Sequence, residues 1–195
     1  MPKVVDVDRR RAELADAAAR LIARSGIESA TMREVAAEAG LTTGALTHYF
    51  ADKRELLLAT FRASLEHRRA KRLPDEASEP LDRLLASLDG ALPLDDERHR
   101  HWMVTLALCS QATSDAVLAE AQRAAYAEFV RYIASLAVAS GLVERDGADS
   151  FAATLIAAAD GIAVQALFDR ERWPADRQRA TLASMLSSFG IGRTE

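Results

Sequence analysis

Apolar residues recur at spacings of three and four along almost the whole chain, the period of helices with one buried face. Leu14, Ala18, Leu21 and Ile22 share a face of a first helix, which Gly26 is placed to close in a left-handed cap. A second helix opens at TMRE, where Thr31 is positioned to cap and Glu34 to reach back in a capping box, with Val35, Ala36 and Ala39 as its apolar face. Gly40 breaks it, and Thr42 or Thr43 caps a short third helix containing Leu46 and Tyr49. In ADKRE, Asp52 and Glu55 form a second capping box opening a long fourth helix, with Leu56, Leu57, Thr60, Phe61 and Leu65, that ends before Pro74. The acidic, proline-flanked stretch PDEASEP at 74–80 has no periodicity and reads as a linker. Beyond it the pattern predicts helices at about 80–91, 96–111, 114–140, 148–169 and 175–189. Nine helices and no strand make an all-α fold.

Composition narrows the class. With 49% apolar residues in 195, the chain can bury a substantial core. The single cysteine, Cys109, excludes an intramolecular disulfide, and the amino terminus lacks a secretory pattern, so a reducing, cytoplasmic location is expected. The most apolar run, FAATLIAAADGIAVQALF, is interrupted by Asp160 and Gln165 and makes a poor bilayer span, so no membrane partner is expected. Net charge is −4, unevenly spread: residues 1–72 hold 14 basic and 10 acidic side chains, a balance of +4, and residues 73–195 hold 11 and 19, a balance of −8. Such asymmetry suits a protein with one end facing nucleic acid.

The stretch AEAGLTTGALTHYFADKRELL, residues 37–57, carries the candidate chemistry. Helix, glycine turn and short second helix form a helix-turn-helix, whose second helix enters the major groove. The hairpin by itself is equally a packing device; the exposed residues distinguish the two. Between the apolar Leu41, Leu46 and Phe50, the third helix presents Thr42, Thr43, Gly44, Ala45, Thr47, His48 and Tyr49. A merely solvated face would carry Glu and Lys, whereas short hydroxyls, glycine and flat rings allow close approach to DNA. Lys53 lies at a helix start, where a cation is unfavourable unless a negative group such as a phosphate is near. Arg9, Arg10 and Arg11 read as a flexible basic arm near the backbone.

The run from Arg11 to Phe61 resembles the amino-terminal DNA-binding domain of the TetR family of bacterial transcriptional regulators. The glycine ending helix one, Thr-x-Arg-Glu-Val-Ala, Ala-Gly-Leu-Thr, Gly-Ala-Leu and Tyr-Phe-x-x-Lys-x-x-Leu fall in order. The resemblance implies base contacts at Arg33, Thr43, Gly44 and Ala45, and phosphate or groove-wall contacts at Thr42, His48, Tyr49 and Lys53. Thr47 stands where the family usually has a phosphate-contacting tyrosine. LPLDDERHRHWMVTLAL, DGIAVQALFD and WPADRQRATLASML are similar to the carboxy-terminal domain of the TetR subgroup containing BetI, a group whose ligands vary too widely to name an effector.

Helix eight is apolar nearly all round, with small residues that admit a second helix, so it needs cover on both sides. A central helix inside a monomer is the competing reading. A two-fold dimer is expected through Ala157, Ala158, Gly161, Val164, Gln165 and Phe168, with Leu182, Met185 and Phe189 of helix nine. Phe61, Leu65, Trp102, Leu106, Cys109, Tyr126, Phe129 and Ile133 are candidates to line an effector cavity. It would suit an apolar or aromatic, neutral or cationic ligand, because the acidic part offers no basic cluster. His99 and His101 are two apart, on different helix sides, so neither metal nor cofactor is expected; His67 reads as a solvated helix residue. No nucleophile and base, phosphate loop or paired carboxylates converge, so the chain is not expected to be an enzyme.

The expected organisation is a DNA-binding domain at 1–52 and a ligand-binding and dimerisation domain at 53–195, connected through helix four, 53–73. The expected protein is a homodimeric, ligand-responsive repressor of a palindromic operator. An activator or ligand-independent DNA binder, and a helical enzyme or small-molecule carrier, are the alternatives.

Overall fold

The structure, a computed structural model, describes residues 7–72 and 79–191. Apart from Glu79 and Pro80, the stretch expected to be a linker lies outside the described residues. Among them there are nine α-helices and no strand: α1 Val7–Ser25, α2 Met32–Glu38, α3 Thr43–Leu46, α4 Lys53–Arg72, α5 Pro80–Gly90, α6 Asp96–Ala112, α7 Ala116–Ala139, α8 Ala148–Phe168 and α9 Ala175–Ser188. Two 3-10 turns, Ile27–Ser29 and Arg145–Gly147, add to the expected elements. Pro80 occupies the first turn of α5, where its missing N–H costs nothing.

The chain divides into two compact units. The first comprises residues 1–67 and 100–123. Its core joins Leu14, Ala18 and Ile22 of α1, Val35 and Ala36 of α2, Leu46, Phe50, and Leu56 and Phe61 of α4 to Val104, Leu108 and Leu118. The faces picked out by the three-and-four spacing are the buried ones, which is the expected outcome when hydrophobic burial drives helix packing.

The second unit comprises residues 68–99 and 124–195. Leu84 and Leu88 of α5, Phe129 and Ile133 of α7, Leu155, Ile156, Ala159 and Ile162 of α8, and Leu182 and Leu186 of α9 form its core. The end of α4 is held by ion pairs from Arg68 to Asp160 (3.7 Å), Arg69 to Glu128 (2.7 Å) and Lys71 to Glu97 (3.2 Å), on α8, α7 and α6 respectively. The segment Arg145–Phe168 is long and apolar enough to cross a membrane by length and composition, yet nearly half of its most apolar stretch is buried within the fold. Its remaining apolar surface is exposed on one side, with Phe168 75% accessible.

Candidate nucleic-acid interface

Local capping sets the angle of each reader helix. Thr31 Oγ1 accepts from Glu34 N–H at 3.2 Å, starting α2 as expected. The reciprocal half of that box is not made: Glu34 pairs with Arg33 at 2.7 Å, and Thr31 N–H donates to the Ser29 carbonyl instead. Gly26 has φ 80° and ψ 169°, an extended positive-φ conformation rather than the expected left-handed cap, because the chain turns at once into Ile27–Ser29. At the end of α2, Gly40 takes φ 68°, Gly40 N–H donates to Ala37 and Leu41 N–H donates to Ala36, a Schellman closure that glycine alone makes without strain. Thr42 Oγ1 accepts from Ala45 N–H at 3.1 Å and starts α3 two residues after the turn. At α4, Asp52 Oδ1 accepts from Glu55 N–H, and Glu55 Oε2 reaches back to Ala51 N–H, both at 2.8 Å.

Three sets of ionic contacts brace this hairpin. Arg11 donates to the Tyr49 carbonyl, lies 4.3 Å above the Phe50 ring centre and pairs with Glu55 at 2.8 Å. The expected flexible arm is therefore corrected: Arg9, Arg10 and Arg11 are helical residues of α1, and Arg10 pairs with Glu13 at 2.6 Å. The ordering follows from Arg11, whose guanidinium finds a carbonyl, a ring face and a carboxylate at once. Glu38 of α2 accepts from Arg20 (3.1 Å) and Arg24 (3.0 Å) of α1, which hold its carboxyl below the ordinary range. Arg54 grips Asp115 with two bonds, 2.8 and 3.1 Å. Asp115 also caps α7, accepting from Val117 and Leu118 N–H.

The Arg54 bonds and then those amides lower the Asp115 carboxyl from 3.8 to about 2. A depressed folded-state pKa contributes stability that is complete above the unfolded value and lost as pH falls through the folded one. The Asp115→Asn variant should therefore unfold at lower urea than wild type near neutral pH. That gap should close as pH drops from 3.8 towards about 2. Urea midpoints at several pH values check this; a gap constant over that window would refute it. A cleft of about 350 Å³ opens here, lined by Ile27, Glu28, Lys53, Arg54, Leu57, Gln111, Asp115 and Leu118.

The expected DNA-facing residues lie together on the hairpin. Thr42, Thr43, Gly44, Thr47 and His48 are exposed, Ala45, Tyr49 and Lys53 are half-buried, and the Arg33 side chain is 82% accessible. Thr47 donates its hydroxyl to the Gly44 carbonyl at 2.8 Å, so its proton is engaged within α3 while its oxygen still has acceptor capacity. Among the described residues Lys53 makes no ion pair or side-chain hydrogen bond, in contrast to its neighbour Arg54. A Cβ built on Gly44 meets nothing closer than Thr42 Oγ1 at 4.0 Å, and the residue has no positive φ. The fold itself gives no reason for glycine there.

The other expected residues are distributed between the two units. Phe61, Leu65 and Cys109 belong to the first core, and Trp102 and Leu106 lie in the same unit. Phe129 and Ile133 are in the second core, and Tyr126 of that unit is 40% exposed. On α8, Ala157, Gly161, Gln165 and Phe168 are exposed, and Ala158 and Val164 half-buried. On α9, Met185 is half-buried and Leu182 buried in its own unit's core, and Phe189, just past the end of that helix, is exposed. His67 corrects its expectation: it is half-buried and stacks on the His101 ring, because α4 and α6 bring together residues 34 apart in sequence. His99 is disfavoured as a cation by burial and then by Arg170, with Asp96 opposing.

A capped helix, a glycine turn and a short helix exposing small hydroxylated residues, in an otherwise helical chain, define a helix-turn-helix DNA-binding regulator. Residues 14–60 match the family described as bacterial regulatory proteins, tetR family, and residues 80–190 match the BetI-type transcriptional repressor, C-terminal. The chain belongs to the TetR family and carries a BetI-type carboxy-terminal domain. It is 29% identical to the HTH-type transcriptional regulator PksA of Bacillus subtilis, over all of this chain and 96% of that protein. To the regulator BetI of Vibrio atlanticus it is 28% identical, over 95% of this chain and 94% of that one. A transcriptional regulator from Rhodococcus sp. Rha1 superposes with a TM-score of 0.85 at 26% identity, covering 95% of this chain and 99% of that one. A Saccharomonospora viridis protein described as a transcriptional regulator, in complex with choline, shares the fold: TM-score 0.82 and 22% identity over 92% and 96% of the two chains. The family and these relatives are transcriptional regulators, not enzymes.

Proposed function

We propose that this regulator is a cytoplasmic homodimer that represses from a palindromic operator and leaves it when a small molecule binds the carboxy-terminal part. Residues 1–52 are the reader, residues 53–195 bind effector and partner, and α4 connects them. The observation that carries DNA reading is Gly44: a helix glycine with open space above it and no conformational need, flanked by exposed Thr43 and Thr47. Such a residue lowers helix stability by about 0.5–1 kcal/mol relative to alanine, and close approach of a DNA groove gives a reason to keep it. Arg33, Thr43, Gly44 and Ala45 read bases; Thr42, Thr47, His48, Tyr49 and Lys53 position the backbone.

Dimerisation rests on the α8 face formed by Ala157, Gly161, Gln165 and Phe168, spaced at four, four and three. A second copy applied through a two-fold axis covers it, with Phe189 at the margin. Two readers are then available for half-sites about 34–36 Å apart. The acidic surplus after residue 72 disfavours an anionic effector and favours a neutral or cationic one.

The test is binding of a labelled duplex from the chain's own upstream region across a salt series, beside an unrelated duplex. Preference for the upstream duplex with a steep salt dependence is expected; equal, salt-insensitive binding to both would refute the reading. Lys53→Ala should weaken binding to all duplexes and flatten the salt slope by about one unit, whereas Arg33→Ala should cost about 1–3 kcal/mol and relax preference at one base pair. The exposed Arg33–Glu34 pair is no obstacle to that role, since solvent screens a pair of this kind and holds it weakly.

A further inference from the structure

We propose that the cleft formed by the Ile27–Ser29 turn, the start of α4 and the α6–α7 junction binds a small zwitterion, its carboxylate on Lys53 and its ammonium on Glu28. The volume, about 350 Å³, falls within the range of small-molecule clefts, about 300–1,000 Å³. All of the lining residues belong to the first unit. None of them is a candidate for the effector cavity, so this is a second site, in the unit that carries the reader.

The charged side chains of the cleft are of two kinds. Arg54 and Asp115 neutralise each other through hydrogen bonds of 2.8 and 3.1 Å and form part of the wall. Glu28 and Lys53 differ: among the described residues neither makes an ion pair or a side-chain hydrogen bond, with each other or with a third group. Lys53 is half-buried, so its ammonium lacks part of its hydration as well as a counter-ion. A simple anion on Lys53 would set like charge near Glu28, and a simple cation on Glu28 would do the same to Lys53. A molecule bearing both charges satisfies both groups with charge-assisted hydrogen bonds.

The rest of the lining suits an apolar body. Leu57 and Leu118 come from the edge of the first core, and the half-buried Ile27 packs against that core. Gln111 is exposed and, among the described residues, its side-chain amide has no hydrogen bond, so it can both donate and accept. Glu28 and Lys53 line one cleft without meeting, which favours charges at the two ends of a methylene chain, as in an ω-amino carboxylate, over two charges on one carbon. A regulatory consequence rests on the phosphate contact assigned to Lys53: ligand carboxylate and DNA phosphate compete for the same ammonium, so occupancy weakens DNA binding.

Calorimetric titration of δ-aminovalerate into the full-length protein tests the site without DNA. Saturable binding of one molecule per chain is expected. Valerate and pentylamine, each lacking one of the two charges, should bind about tenfold or more weaker, the usual loss when a hydrogen bond to a charged group is removed. E28Q and K53M should each weaken δ-aminovalerate by a similar factor, and E171Q, which changes an exposed glutamate of the second unit, should leave it unaltered. Far-UV circular dichroism establishes that each variant is folded; if one is not, the comparison of the three ligands on wild type decides. Heats that do not saturate, valerate or pentylamine binding as tightly as the zwitterion, or E28Q and K53M binding it like wild type would overturn the site. In duplex titrations, saturating δ-aminovalerate should lower the affinity of wild type and leave that of K53M unchanged. Unchanged wild-type affinity would overturn the competition, whereas a duplex that fails to bind without the zwitterion counts against the DNA reading and leaves the calorimetric result standing.

Discussion

The Gly44→Glu variant should fold at least as well as wild type and lose operator binding. Gly44 sits on α3, its Cβ position is open, and its backbone has no positive φ, so a side chain there meets no steric barrier within the protein. Removing a helix glycine should raise stability by a few tenths to about 1 kcal/mol. On DNA the outcome reverses. The new carboxylate would stand between exposed Thr43 and Ala45 on the reading face, where it excludes close approach and faces phosphate with like charge. Like-charge juxtaposition at an interface costs several kcal/mol, and each 1.4 kcal/mol is about tenfold, so affinity should fall by roughly a hundredfold or more. Thermal melts beside operator titrations separate the effects. Unchanged DNA affinity would place the reading surface elsewhere; a lowered melting temperature would mean that Gly44 serves the fold.

Gly161→Arg should give monomers, or aggregates where the face is left uncovered, and should remove operator binding without touching the reader. Gly161 lies within α8 with open space around its Cβ position, on a face shared with exposed Ala157, Gln165 and Phe168. Glycine inside a helix is less favourable than alanine by about 0.8–1.0 kcal/mol, and this fold obtains no packing benefit from it. A second helix approaching closely does. Arginine at that spot would hold the partner away and place like charges near the two-fold axis. Coupling two readers through a dimer multiplies affinity by about 10²–10⁴ over one reader, and that factor is what the variant should lose. Light scattering and operator titration together check this. A variant that stays dimeric with unaltered affinity would exclude α8 as the interface.

The two predictions draw on different depths of information. Helix positions and caps were legible because they depend on residues three or four apart. Thr31 to Glu34, Thr42 to Ala45 and Asp52 to Glu55 all bond as their spacing implies, and the last five helices fall within about two residues of the expected bounds. Even these local signals were modified where a neighbour competed: Arg33 draws the Glu34 carboxylate from its capping role, and Gly26 leads straight into a 3-10 turn. The exposed composition of α3 was legible too, because Leu46 and Phe50 fix its buried side and the remaining positions must face out.

Pairings across tens of residues were not legible. Arg11 looks like one of three loose arginines until α1 lies beside the end of α3, where it meets the Tyr49 carbonyl, the Phe50 ring and Glu55. Arg54 and Asp115 are 61 positions apart, and nothing in either neighbourhood selects the other. His67, within a charged run, is turned inward onto His101 only by the packing of α4 on α6. Periodicity also fails on α8, since a helix apolar on most sides does not say which stripe it buries. The packing of α5, α7 and α9 assigns Leu155, Ile156, Ala159 and Ile162 to the core and leaves Ala157, Gly161 and Phe168 outside. Chain-local chemistry specifies each helix, its ends and the character of its faces. Which faces meet, and hence which charges and rings become partners, follows from minimising exposed apolar area over all the helices together, a condition no single stretch contains.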